Sequence, residues 1–264
     1  MRSVSATRYV TPLREGGSLP AIIEADDDGM YVMKFRGAGQ GPKMLIAELV
    51  AGEIGRALGL PVPEIVFVDL DTELARTEAD SEIRHLLQAS GGLNLGLDYL
   101  PGALNFDPAA PRSDATSVPD AQLASAIVWF DAFVANVDRT ARNTNMLVWH
   151  RRLHLIDHGA ALYFHHDWST AANAAADPFT RIRDHVLLDR ASALEDIDAQ
   201  LATRLATPVI EAVVAHVPDA WLLVDAPFTS ADEHRRAYVD HFTRRLAARH
   251  HFVEEAIRAR AAHL

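Results

Sequence analysis

The sequence predicts an α+β chain in two lobes, and three observations carry that expectation. The first third alternates short apolar runs with turn residues around a single marked helix. A stretch rich in Pro, Asp and Ser follows at 105–119. Beyond it the apolar spacing is almost entirely helical. The expected division is a β-rich unit with one main helix over 1–97 and a mainly α-helical unit over 98–264. At 264 residues the chain is long enough for two lobes sharing a cleft.

Each element has its own local reason. Within "LPAIIEADDDGMYVMKF" the apolar pieces 21–23 and 31–35 flank an acidic turn at 26–29, which is the pattern of a β-hairpin. A glycine-rich stretch, "RGAGQG", leads to Pro42. "PKMLIAELVAGEIGRALG" then reads as a helix with Pro at its start and Gly59 as its stop. The prolines of "LPVPEIVFVDLD" exclude helix, and its alternation suggests a strand. A short helix is expected around 82–88, then a glycine turn. "LGLDYLPGAL" reads as a strand breaking into a linker at Pro101 and Gly102.

In the second unit, "PDAQLASAIVWFDAFVAN" is a mainly apolar helix. "NMLVW" and "RLHLI" can pair as a hairpin across 150–152, and 189–217 suggests two helices. From Ser230 the capping-box pattern Ser230-x-x-Glu233 opens what reads as one long amphipathic helix. No internal repeat or extended low-complexity segment is visible.

Composition excludes several classes. Hydrophobic residues make up 49% and aromatic ones 7%, so a substantial core is expected and broad aromatic platforms are not. No run approaches the length of a membrane span or a signal peptide. The absence of cysteine removes disulfides, thiolate metal sites and a Cys nucleophile. These features together point to the cytoplasm, with no membrane partner. The net charge of -11 argues against non-specific nucleic-acid binding, which rests on Lys and Arg neutralising phosphates. A phosphate ligand therefore needs a local device.

One stretch supplies such a device: "ANVDRTARNTNMLVWHRRLHLIDHGAAL", from Ala135 to Leu162. Asp138 and Asn143 lie on either side of a short polar loop, and the hairpin that follows can return the chain so that Asp157 sits beside them. Two carboxylates and an amide oxygen around one point suit Mg²⁺, which takes hard oxygen ligands and keeps water or substrate phosphates. Taken singly, Asp138 and Asn143 read first as turn caps. Lys34 alone reads as a strand-end surface lysine and Glu48 as a solvated helix residue. The 13 histidines raise a zinc site, but the hairpin scatters His150, His154 and His158. A serine hydrolase lacks its G-x-S-x-G element.

The chain resembles the HipA-like kinase family, an atypical branch of the two-lobed protein-kinase-like fold. The resemblance rests on "GGSLPAII", "YVMKFRG", "LIAELVAGEIGRALGLPVPE", "DAFVANVDRTARNTNMLV" and "LIDHGAAL", in the family's order over 14–162. It implies an N-terminal nucleotide-binding lobe, a C-terminal catalytic lobe, and an ATP- and Mg²⁺-dependent phosphotransferase with a hydroxyl acceptor such as Ser or Thr of a protein. By the same resemblance Lys34 binds nucleotide phosphate, Glu48 fixes it, and Asp138 is the catalytic acid/base residue. Asn143 and Asp157 become Mg²⁺ ligands. The hinge at 97–100, with Asp98 and Leu100, meets adenine through its backbone. Gly16, Gly17 and Ser18 cover phosphates, with Ser18 a candidate autophosphorylation site.

There are also departures from the family pattern and from protein kinases at large. No full GxGxxG loop is present. Asn136 stands where many protein kinases carry His, and His158 follows Asp157 where Phe is usual. Set beside that resemblance, the extra N-terminal region of larger HipA-type toxins is expected to be absent, so a toxin role and a DNA-binding antitoxin partner are not expected to carry over. The alternatives are a small-molecule kinase of the aminoglycoside-phosphotransferase type and a nucleotide-binding regulatory pseudokinase.

Overall fold

The computed structural model describes residues 1–13, 19–39, 41–109, 118–224 and 227–263. Five strands close into a barrel in the order β1-β2-β3-β5-β4. They are β1 (Ser3–Pro12), β2 (Ala21–Ala25), β3 (Met30–Lys34), β4 (Ile65–Leu70) and β5 (Gly92–Asp98). Neighbours pair antiparallel except β1 with β4, which run parallel. Among the described residues, closure leaves this barrel no free strand edge. The expected β2–β3 hairpin is present: Asp28 takes the left-handed conformation, and the Gly29 N–H donates to Asp27 Oδ1 at 3.0 Å. Strand β1 was not anticipated as far back as residue 3. Its inward positions, Val4 and Ala6, are small, and its pairing with β4 spans more than sixty residues.

Helix α1 (Pro42–Ala57) follows β3 with Pro at its start, as expected, and Gly59 just beyond it at φ 82°. It is apolar nearly all round. Leu45, Leu49, Val50 and Ile54 are all fully buried, the mark of a helix enclosed on every side. Gly52 permits this enclosure, because a Cβ there would run into the Ile65 side chain of β4. Helix α2 (Ser81–Ala89) is capped by Asp80, whose carboxylate accepts from the Glu82 N–H at 2.9 Å. Strand β5 begins at Gly92, earlier than the "LGLDYL" pattern indicates, and ends at Asp98.

The remainder is mainly helical. After the short β6 (Leu104–Asn105) comes α3 (Ala121–Phe133), capped by Asp120 at 2.8 Å from the Leu123 N–H. Of the expected loop at 105–119, residues 110–117 lie outside the described residues, and Asn105 belongs to β6. Strands β7 (Met146–Trp149) and β8 (Arg152–Leu155) form the expected hairpin and share a three-stranded sheet with β6. His150 and Arg151 both have positive φ, as a two-residue primed turn requires.

Six further helices are α4 (Ala171–Ala174), α5 (Leu194–Arg204), α6 (Thr207–Val214), α7 (Asp219–Leu222), α8 (Ala231–Ala247) and α9 (His250–His263). Here the expectation of one long tail helix is corrected. The helix breaks at Ala248 and Arg249. Arg249 Nε bonds Asp198 on α5 at 3.0 Å, and α9 folds back so that Phe252 packs edge-on to Trp129 of α3 at 5.4 Å. Burying that aromatic surface outweighs the loss of continuous helix. The cap at Ser230 is present, its Oγ accepting from the Glu233 N–H at 3.2 Å; Glu233 in turn accepts from the Thr229 N–H at 2.8 Å.

A large apolar cluster runs from α1, β4 and β5 through α3 into α5–α9. A second cluster fills the barrel. Among the described residues no helix is long and apolar enough to cross a membrane.

Candidate functional site

A cleft of about 1140 Å³ opens beside the barrel, lined by Val32, Lys34, Asp98, Leu100, Asn143 and Asp157 among others. Its β-rich wall carries Lys34, the last residue of β3. The Lys34 side chain is only 5% exposed, and its Nζ lies 2.7 Å from Glu48 Oε2 in the middle of α1. It also donates to Asp157 Oδ1, which comes from 123 positions further along the chain. Burial disfavours the Lys34 ammonium, but the charges of Glu48 and Asp157 outweigh it and hold the pKa above the ordinary lysine value. Burial likewise opposes the Glu48 carboxylate. The adjacent Lys34 charge prevails, helped by His158, and Glu48 is lowered to about 2.

Asp157 is pinned from both sides. The Ile156 N–H donates to the Asn145 carbonyl at 3.0 Å, and the His158 N–H donates to Glu48 Oε2 at 2.8 Å. Between these anchors Asp157 adopts a left-handed conformation with φ 56°. Strain of this kind is kept where surrounding contacts over-determine the backbone. The Asp157 side chain is 47% exposed, so its carboxylate reaches the cleft as well as Lys34.

The loop after α3 carries Asp138. Its Oδ2 accepts from Asn143 Nδ2 at 2.8 Å and from Asn145 Nδ2 at 3.3 Å. The Thr140 N–H donates to the Asn143 carbonyl at 2.9 Å and closes the turn. Beneath it lies a polar network that the sequence reading missed. Asp131, fully buried on α3, accepts from Arg139 Nε at 2.6 Å, Asn136 Nδ2 at 2.8 Å and His185 Nε2 at 2.9 Å. Burial would raise its pKa, but Arg139 and His185 outweigh that and hold it below the usual carboxylate range. An acid inside "AIVWFDAFV" was the available signal, since such a group is costly to bury without partners. Asn136, flagged as a departure, links the two levels: its Oδ1 accepts from the Asp138 N–H at 3.2 Å.

Asn143 and Asp157 line the same cleft. Asn143 Nδ2 is engaged by Asp138, which leaves its Oδ1 as the atom that could ligate a cation. One amide oxygen and one carboxylate fit Mg²⁺, which prefers few protein oxygens plus water and phosphate. Among the described residues no group of three or more His, Cys, Asp or Glu comes together to hold a metal unaided.

At the far end of the cleft the Asp98 N–H donates to the Glu64 carbonyl at 2.8 Å, and the Tyr99 N–H to the Met30 carbonyl at 3.0 Å. Those two amides are committed to the sheet. The Leu100 N–H has no hydrogen-bond partner among the described residues. Burial and the nearby Glu64 charge raise the Asp98 pKa. Gly16, Gly17 and Ser18 lie outside the described residues. Of the described residues flanking them, the Leu13 N–H donates to the Pro20 carbonyl at 2.7 Å, and both Leu13 and Pro20 line the cleft. Arg142, beside Asn143, also lines it and was not singled out from sequence.

The solved structure of CtkA, a Helicobacter pylori proinflammatory kinase, aligns over 99% of both chains with a TM-score of 0.55 and 13% identity. At that identity the likeness shows a shared fold. A Golgi casein kinase with Mn/ADP bound aligns over 97% of this chain and 73% of its own, with a TM-score of 0.49 and 13% identity. No curated protein matches the chain in sequence. A family model described as HipA-like kinase matches residues 7–255.

Proposed function

The chain belongs to the HipA-like kinase family, and on that premise we propose that it is an ATP- and Mg²⁺-dependent phosphotransferase. In this reading it moves the γ-phosphate of ATP to a hydroxyl, Ser or Thr of a protein, and works in the cytoplasm. Residues 1–97 form the nucleotide-binding lobe and 98–264 the catalytic helical lobe. The observation that carries the reading is Lys34 held between Glu48 and Asp157 in the cleft that Asn143 also lines.

Lys34, oriented by Glu48, binds the nucleotide phosphates. Leu100 offers its N–H to the adenine ring, with Asp98 alongside, and Gly16, Gly17 and Ser18 complete the phosphate cover. Asn143 and Asp157 would hold Mg²⁺, which would neutralise charge on the phosphate oxygens. Asp138, its Oδ2 fixed by Asn143 and Asn145, orients the acceptor hydroxyl and accepts its proton as the oxygen attacks phosphorus. Most of the acceleration then comes from positioning and charge stabilisation.

The test is ATP turnover by the wild type, Asp138→Ala and Asp157→Ala. The reading expects loss in both variants; equal rates in all three would sink it. A cationic small-molecule acceptor, as for an aminoglycoside kinase, gains support from Asp98 and Asp107 in the lining, whereas Arg142 beside Asn143 opposes it. A metabolite screen with labelled ATP separates the two. A regulatory pseudokinase would instead show a thermal shift with ATP–Mg²⁺ and no transfer to any acceptor.

A further inference from the structure

His158 occupies a position that the proposed chemistry leaves without a role. It is fully buried, its ring edge-on to Phe130 at 5.7 Å. Its backbone N–H already holds Glu48 Oε2 at 2.8 Å. Its ring Nδ1 lies 3.4 Å from the other oxygen, Glu48 Oε1. Neither ring nitrogen nor Glu48 Oε1 has a hydrogen-bond partner among the described residues. Buried polar atoms without partners are rare and costly, and here two of them face each other. A small approach brings them within the about 2.7–3.2 Å of an N–H···O bond. With Nδ1–H as donor, the atom left over is the Nε2 acceptor, and unsatisfied acceptors are better tolerated than orphaned donors.

We propose that His158 is a positioning residue whose Nδ1–H fastens Glu48 through Oε1, while Lys34 and the His158 backbone hold Oε2. One buried carboxylate thereby ties the phosphate-binding lysine to the segment that carries Asp157. When Asp157 turns from Lys34 toward a cation, Glu48 stays in place and keeps Lys34 aimed at the phosphates. A phenylalanine at this position would fill the space and keep the contact with Phe130, yet leave Glu48 Oε1 alone. The inference rests on reading this cleft as a nucleotide site.

The experiment compares wild type, His158→Phe and His158→Asn by calorimetric titration with ATP and Mg²⁺, alongside thermal melting. The Asn side-chain N–H reaches about where Nδ1 does, so it restores the donor without the ring. His158→Phe is expected to weaken binding about tenfold, the loss of one hydrogen bond to a charged group, and His158→Asn to recover most of that. A ring that serves packing alone gives the opposite order, with Asn the worse, and overturns the proposal; so does wild-type affinity in His158→Phe. Wild-type binding without phosphate transfer would defeat the phosphotransferase reading and leave this order of affinities standing. No nucleotide binding by the wild type would defeat both. Should His158→Phe not fold, ¹⁵N imidazole spectra of the wild type decide. A proton on Nδ1 of His158 is expected, and a ring protonated only at Nε2 overturns the proposal.

Discussion

Replacing Lys34 by Met removes a buried charge while keeping the length of the side chain, and its cost follows from what it abandons. Glu48 is fully buried, and its Oε2 would retain only the His158 N–H. Truncating one member of a buried ion pair typically costs about 3–5 kcal/mol, because the partner charge stays desolvated. For a chain of this size that corresponds to a fall in Tm on the order of 10 °C. The double variant Lys34→Met/Glu48→Gln removes the stranded charge and should recover roughly half of the loss. Urea denaturation without nucleotide measures this independently of any activity. A loss below about 1 kcal/mol, as for an exposed pair, would refute the buried pairing of Lys34 with Glu48.

Three further outcomes follow from the same reasoning. Asp131→Asn strands the Arg139 guanidinium, also buried, and should cost about 3–5 kcal/mol in denaturant unfolding. Asn145→Ala removes one of the two donors on Asp138 Oδ2; it should lower turnover about tenfold with little change in nucleotide affinity, measured by steady-state kinetics. The third concerns pH. Burial pushes His165 and His241 down to about 3, whereas an unfolded histidine titrates near about 6.5. Between those values the unfolded chain binds more protons, so stability is retained above about pH 6.5 and falls on acidification by about 1.4 kcal/mol per pH unit for each histidine. Melting from pH 7 to 5 should show that slope, and His241→Leu should reduce it.

What the sequence disclosed was mostly local. Pro42 and Gly59 bracket α1, alternation and an acidic turn mark the β2–β3 hairpin, and apolar runs on either side of residues 150–152 mark β7–β8. Each signal lies within a few residues of the structure it specifies. The pairing of Lys34 with Glu48, 14 positions apart, was suggested by a strand-then-helix pattern and the family resemblance together. Three features stayed hidden because they depend on distant partners. Strand β1 needs β4 beside it, Asp131 needs His185, 54 positions on, as well as the nearer Arg139, and the break between α8 and α9 is set by Asp198 and Trp129. His158 was marked only as an odd residue. Its relation to Glu48, 110 positions away, exists only in three dimensions.

The central claim is that one cleft gathers Lys34, Asn143 and Asp157 to hold a magnesium-bound nucleotide, and calorimetric titration of ATP with and without Mg²⁺ tests it most directly. Single-site binding that Mg²⁺ strengthens is expected, with that strengthening lost in Asp157→Ala. Absence of binding, or an unchanged Mg²⁺ dependence in Asp157→Ala, would contradict it.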